Sequence, residues 1–392
     1  MVSCIKLPNF SLLMKIAINT RFLLSNNLEG IGWFTWEVAK RLAINHPEHS
    51  FLFLFDRPFD PAFIPAENVE AVVVRPPARH AVLWWWWFEM ALPRIFKQHK
   101  IDVFLSPDSY CSLRSKVPTV MVCHDIAYCH YPEQVPFHGR VFYKHYIPKY
   151  LARAERVISV SEFTKTDILG HYAVPPDKIA VACNGVREVF RVLSPDEKQA
   201  VRAQYSAGKD YFFYLGSVHP RKNVARLIQA FDLFKSVSGA STQLLIGGRL
   251  AWQTGAIQEA LQSAQYKNDI QLLGYLDDEA LAKVLGATLA LTYPSLFEGF
   301  GVPLLEAMHA EVPIITSNTS SMPEVAGDAA ILVDPKNIDE LFNGMQLLHD
   351  SPAERVALIQ KGRQQRKQFD WDKATAVVWD NILLAQGIIR PQ

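Results

Sequence analysis

Two glutamates, Glu298 and Glu306, have seven residues between them in the stretch PSLFEGFGVPLLEAMHA, on either side of a glycine-rich turn. In Gly299-Phe300-Gly301 the glycines permit positive φ and let backbone N–H groups come close to a ligand. Pro303 suits the first helical position, where its missing N–H would be unpaired anyway. LLEAMHA then reads as a short helix with Glu306 in its first turn. A helix N-terminus offers free N–H groups and a partial positive charge to an anion. The carboxylates suit hydroxyls and the helix end suits a phosphate; a nucleotide sugar carries both. On spacing alone, a loop acid followed by a solvated helix face explains the pair better.

Three further segments carry residue types that could act on such a ligand. GSVHPRKN (216–223) joins a strand to a helix and places Arg221 and Lys222 at the strand's carboxyl end, where open α/β sheets bind ligands. A diphosphate leaving group gathers negative charge and needs cations there. An exposed basic helix start is the alternative, and cations are disfavoured at that end without an anion. His124 and Asp125 end the strand TVMVCHD. A histidine in that place can donate hydrogen bonds to sugar oxygens, or it can be a hydrogen-bonded core residue. Gly30-Ile31-Gly32 opens the first helix after a strand, but Thr35 stands where a dinucleotide fingerprint has its third glycine.

The elements that must hold these residues are legible as apolar runs. KIAIN, FLFLFD, VEAVVV, IDVFLSP, TVMVCHD, RVISVSE and KIAVACN alternate with helical patterns in the first half. YFFYLGS, QLLIGG, DIQLLGYL, LALTYPS, VPIITSN and AAILVD repeat the scheme in the second. Such runs read as buried parallel strands, and two successive α/β halves imply two doubly wound domains. The join is expected at NGVREVFRVLSP (184–195), which has turn signals and no clear period. The expected domains are 14–187 and 188–370, followed by a terminal helical segment, 371–392.

Composition narrows the partners. A chain of 392 residues, 49% hydrophobic, can bury two large cores. Its net charge of +1 gives no global field to recruit nucleic acid or an acidic membrane. Five cysteines without a CxxC pair suggest reduced thiols rather than a disulfide framework. Cys123, His124, Cys129 and His130 match no common zinc spacing. No uninterrupted apolar span is long enough for a transmembrane helix. The first thirteen residues lack a long apolar region with a cleavage site, so a secretion signal is not expected. Four consecutive tryptophans, Trp84–Trp87, fit either core packing or a platform for a sugar or lipid-linked acceptor.

EGFG, the P-L-L-E-A-M run, VPIIT and SSMPEVAGD, taken in order, resemble the retaining glycosyltransferases of family 4, also called group 1. VISVSEFTK and the R-K-N of GSVHPRKN resemble them too. The resemblance implies a GT-B architecture, two Rossmann-like domains facing a central cleft, with the last helix crossing back onto the first domain. It implies that Glu298 grips the transferred sugar, that Glu306 accepts from the ribose and that Lys222 contacts the donor phosphates. His124 would line the sugar subsite. Gly299, Phe300 and Gly301 would belong to the donor loop, and Gly30 and Gly32 to a loop over the phosphates near the acceptor. Many members carry an arginine where Ser217 stands, a contact that Arg221 could replace. IGGRLAW (246–252) and GYLDDEAL (274–281) resemble loops that flank the base and ribose.

The implied activity is transfer of a hexose, mannose by first choice, from a GDP- or UDP-linked donor to a saccharide or lipid-linked saccharide acceptor. No cofactor and no metal are expected. Asp370-Trp371-Asp372 reads as a helix cap rather than a metal motif. The expected setting is cytoplasmic, with peripheral contact at the inner face of the membrane, in surface polysaccharide synthesis. A silent binding or assembly protein, a sugar-nucleotide epimerase, a phosphorylase-like enzyme and a nicotinamide dehydrogenase are the rival readings. Ser217 leaves the silent reading some room.

Overall fold

The computed structural model describes residues 13–25, 28–249 and 255–389. Its first sheet contains β1 (Lys15–Asn19), β2 (Ser50–Phe55), β3 (Val69–Val73), β4 (Val103–Ser106), β5 (Thr119–Cys123), β6 (Arg156–Ser159) and β7 (Ile179–Val181). The second contains β8 (Tyr211–Leu215), β9 (Gln243–Gly247), β10 (Ile270–Gly274), β11 (Ala290–Tyr293), β12 (Ile314–Ser317) and β13 (Ile331–Val333). Alternation along β2 shows why the central strands are apolar at successive positions. Phe51 and Phe53 enter one core while Leu52 and Leu54 enter another on the opposite face, and none of the four has exposed surface. A strand that successive side chains anchor on both faces is committed to the sheet interior.

Strand order places the site. The first sheet runs β3-β2-β1-β4-β5-β6-β7 and the second runs β10-β9-β8-β11-β12-β13. Every recorded pairing is parallel; Ile18 of β1, for example, lies beside Phe53 of β2 and Leu105 of β4. The order reverses at β1/β4 in one sheet and at β8/β11 in the other. Loops leaving the carboxyl ends diverge at such a reversal and open a crevice. Gly30, which opens a helix, and Ser217 and Glu298, on loops, all follow those ends.

The chain passes between sheets through residues 182–194, then enters the Pro195–Ser206 helix through a capping box of Ser194 and Glu197. The Trp371–Ala385 helix returns to the first sheet, packing on the Gly30–Asn45 helix and on β4 to β7. Trp371, Val378 and Ile382 are buried there, and Arg156 donates to Asn381 Oδ1 at 2.7 Å. Asp370 caps this helix, its carboxylate accepting from the N–H groups of Asp372 and Lys373.

The four tryptophans divide between roles. Trp87 is fully buried and donates to the Val74 carbonyl; Trp84 donates to that of Ala78. Trp85 is half-buried under the Arg114 guanidinium, and Trp86 is exposed. The helix widens into one π-type turn over Trp87–Ala91, which turns Phe88 and Glu89 inward beside Trp87. Burial of Glu89 is compensated by the N–H groups of Leu113 and Arg114.

Candidate functional site

A cavity of about 430 Å³ lies between the two sheets, walled by loops from both. The glycine turn forms one wall, and its two glycines do different jobs. Gly301 has φ +99° and stands at the N-cap of the Val302–His309 helix. Gly299 does not need positive φ. A Cβ there would sit 1.8 Å from the His124 carbonyl oxygen, so glycine is required by close approach to the other domain. The helix starts at Val302, one residue earlier than expected. Pro303 therefore takes its second position, and Glu306 lies beyond the first turn rather than within it.

Glu298 is 8% exposed and firmly held. Lys222 Nζ lies 2.5 Å from Oε1, the Tyr293 hydroxyl donates to the same oxygen at 2.9 Å, and Arg221 lies 3.6 Å from Oε2. Burial alone would push this carboxyl up. Lys222 and Arg221 more than offset it and hold the group at about 2. Glu298 is thus an ionised acceptor at neutral pH. For Lys222 burial pulls downward and Glu298 opposes it. The pair is a fixed ion pair with the ammonium on the cavity wall.

Arg221 is close by but is not a wall residue. Its guanidinium donates to the Phe297 carbonyl at 2.6 Å and lies 3.9 Å from Asp125, behind Glu298. Ser217 lines the cavity, as do Lys222, Phe300 and Gly30. Gly32 faces the protein interior instead: a Cβ there would meet the Phe22 carbonyl at 2.8 Å. Of IGGRLAW, Gly247, Gly248 and Arg249 line the cavity, with Arg249 stacked on Tyr275 of the following loop. Leu250, Ala251 and Trp252 lie outside the described residues.

His124 lines the opposite wall, edge-on to Phe34. Its Nε2 is 2.9 Å from the Pro107 carbonyl, and burial lowers its tendency to protonate. A carbonyl only accepts, so Nε2 carries the proton. The neutral ring then offers Nδ1 as an acceptor. In this tautomer the ring's free nitrogen is an acceptor, whereas the sequence expectation has the ring donating.

Glu306, 3% exposed, has a partner that sequence reasoning missed. Arg187, from the segment between the sheets, donates from Nη2 to Glu306 Oε1 at 2.6 Å and from Nη1 to Asp278 at 2.5 Å. The guanidinium also lies over the rings of Trp33 and Phe190. Burial raises the Glu306 carboxyl, and Arg187 works against that rise. NGVR showed turn character only; nothing local in it pointed to a carboxylate more than a hundred residues away.

Two further contacts join the domains beside the turn. Ser161 and Thr164 hydroxyls donate to the Gly299 carbonyl at 2.6 and 3.0 Å. Glu324 accepts from the N–H groups of Glu162 and Phe163, both at 2.9 Å, at the start of the Glu162–His171 helix. The Cys123, His124, Cys129 and His130 set does not converge. Burial pushes the Cys123 thiol up to about 12, Cys129 faces the Tyr172 hydroxyl, and His130 turns to Asp167.

The family described as Glycosyltransferase Family 4 matches residues 28–188, and that described as Glycosyl transferases group 1 matches residues 196–365. O-antigen chain mannosyltransferase B of Escherichia coli is 28% identical over 365 residues, which cover 89% of this chain and 94% of that protein. WaaG, a glycosyltransferase involved in lipopolysaccharide biosynthesis, matches with a TM-score of 0.74 at 16% identity, over 94% of this chain and 99% of its own. HepE of Anabaena, solved in complex with UDP and glucose, matches with a TM-score of 0.72 at 16% identity over the same shares. At that identity these two structures speak to the fold alone, and the fold is GT-B.

Proposed function

The chain belongs to the group 1 glycosyltransferases, and on that premise we propose that it moves mannose from a nucleoside diphosphate donor to a saccharide or lipid-linked saccharide, retaining the anomeric configuration. GDP-mannose is the first choice of donor and UDP-sugars the second. The choice of mannose rests on the likeness to O-antigen chain mannosyltransferase B. The setting is surface polysaccharide synthesis at the inner face of the membrane, with no metal required.

One observation carries the reading: a single cavity has an ionised Glu298 paired with Lys222 near one part of its wall and Glu306 paired with Arg187 near another. In this assignment Lys222 faces the diphosphate and stabilises charge as the sugar departs. Glu306 accepts from the ribose, Glu298 from a hydroxyl of the transferred sugar, and His124 Nδ1 from another. Glu298 is poorly suited to attack carbon. Its Oε1 already receives Lys222 and Tyr293, and a carboxyl held near 2 is a weak base. Retention is then assigned to a front-face route in which the donor phosphate takes the acceptor proton.

The test is turnover of GDP-mannose and a panel of UDP-sugars, with and without EDTA. Donor-dependent transfer that survives EDTA supports the proposal. Conversion of donor alone into an isomeric nucleotide sugar would identify an epimerase instead, and no turnover of any donor would favour the silent reading.

A further inference from the structure

We propose that the groove between the Ala81–Trp86 and Phe137–Arg153 helices is a docking face for an anionic lipid bilayer. The groove has a volume of about 610 Å³ and is walled by Val82, Trp85, Phe137, Val141, Phe142 and Tyr146. Val82 is 71% exposed, Phe137 66% and Val141 53%. Single exposed apolar residues are ordinary, but a contiguous set on one face marks an interaction surface.

Charge selects the occupant. From Phe137 to Arg153 the sequence contains no Asp or Glu. Arg140, Lys144 and Lys149 are exposed on that helix, while Phe142, Ile147, Tyr150 and Leu151 anchor it inward. In a chain of net charge +1 this is a local concentration of cations beside apolar side chains. A helix with that composition rests in the headgroup region, its apolar residues entering the acyl boundary and its cations meeting anionic lipid. Trp85 and Tyr146 have the amphipathic rings that favour this depth. Among the described residues no helix is long and apolar enough to cross a membrane, so the contact is peripheral.

The face also sits well for an acceptor held in lipid. β5 delivers His124 to the cavity, and the chain continues through Ala127–His130 into the Phe137–Arg153 helix. Tyr128 and Tyr143 rings, 4.9 Å apart, tie those two segments together. This inference rests on the proposed acceptor at the membrane face, but its test needs neither donor nor acceptor.

The experiment is flotation of the full chain with phosphatidylglycerol/phosphatidylcholine vesicles and with phosphatidylcholine alone. Nucleotide affinity is measured in parallel. Binding should require phosphatidylglycerol and weaken as salt rises. Val141→Glu, and separately Lys144→Glu with Lys149→Glu, should each lower it at least roughly tenfold while leaving nucleotide affinity unchanged. Absence of vesicle binding by the wild-type chain, or binding indifferent to both variants, overturns the docking face. Concentration-dependent self-association without vesicle binding also overturns it, in favour of a second copy as the occupant. Vesicle binding with no turnover of any donor would leave the docking face standing and overturn the transfer reading.

Discussion

Arg187 donates to Glu306 at 2.6 Å, so the segment joining the two sheets is bonded to the helix that follows the glycine turn. The bond carries charge as well as geometry. Glu306 is almost fully buried, and the charged groups facing it are Arg187 from the joining segment and Asp278 from the Asp278–Gly286 helix. Asp278 raises the Glu306 carboxyl further, which leaves Arg187 as the group among these that opposes the rise.

Arg187→Met should therefore make nucleotide affinity pH-dependent. Without the guanidinium, burial raises the Glu306 carboxyl further, and protonation removes an acceptor lone pair from the ribose. Calorimetry at pH 8 and pH 6 should show affinity falling toward pH 6 in the variant, by about tenfold, the worth of about one charged hydrogen bond, and little change in the wild type. The folding linkage has a definite sign. A carboxyl raised on folding contributes stability that is present at low pH and lost as pH rises through its folded value. The variant's melting temperature should accordingly drop, relative to wild type, more at pH 8 than at pH 5.

Lys222→Ala removes the cation from the cavity wall and one of the two cations that keep Glu298 ionised. A charged contact to a developing leaving group is worth about 2–4 kcal/mol, which corresponds to roughly tenfold to a thousandfold in rate. Steady-state turnover should fall within that range. Kinetics within twofold of wild type would remove Lys222 from the phosphate site.

Gly299→Ala puts a methyl group 1.8 Å from the His124 carbonyl oxygen, where backbone faces backbone. The two domains must separate locally or the turn must move. Loss of the Ser161 and Thr164 bonds to the Gly299 carbonyl should follow. Transfer should fall at least roughly a hundredfold, since small misplacements of reacting groups have costs of that order. Small-angle scattering should report a more open envelope; an unchanged envelope with full activity would contradict the close approach.

Much of this architecture is legible in the sequence. Each apolar run expected as a strand is one; in the central strands, burial on both faces demands apolar residues at successive positions. FLFLF and YFFYL are examples. Glu298, Glu306, Lys222 and His124 were legible as site candidates from the glycine turn and the strand ends, and all four line one cavity. What stayed hidden depends on long-range geometry. Arg187 is bonded to a residue distant in sequence, and Gly299 is explained by a carbonyl on the other domain. Gly32 looked like Gly30 in sequence, yet one faces Phe22 and the other the cavity. The proton position on His124 is set by Pro107, which no local pattern reveals.

The central claim is that Glu298 serves transfer by holding the sugar and neither anchors the nucleotide nor attacks carbon. The most direct measurement compares nucleotide affinity, transfer rate and product anomer in Glu298→Gln and wild type, with the reaction also trapped for mass spectrometry. His124→Ala serves as the companion from the opposite wall. The account predicts nearly unchanged nucleoside diphosphate affinity in both variants, strongly reduced transfer, and a wild-type product with the anomeric configuration of the donor. A glycosylated Glu298, an inverted product, or equal loss of nucleotide binding and transfer would contradict it.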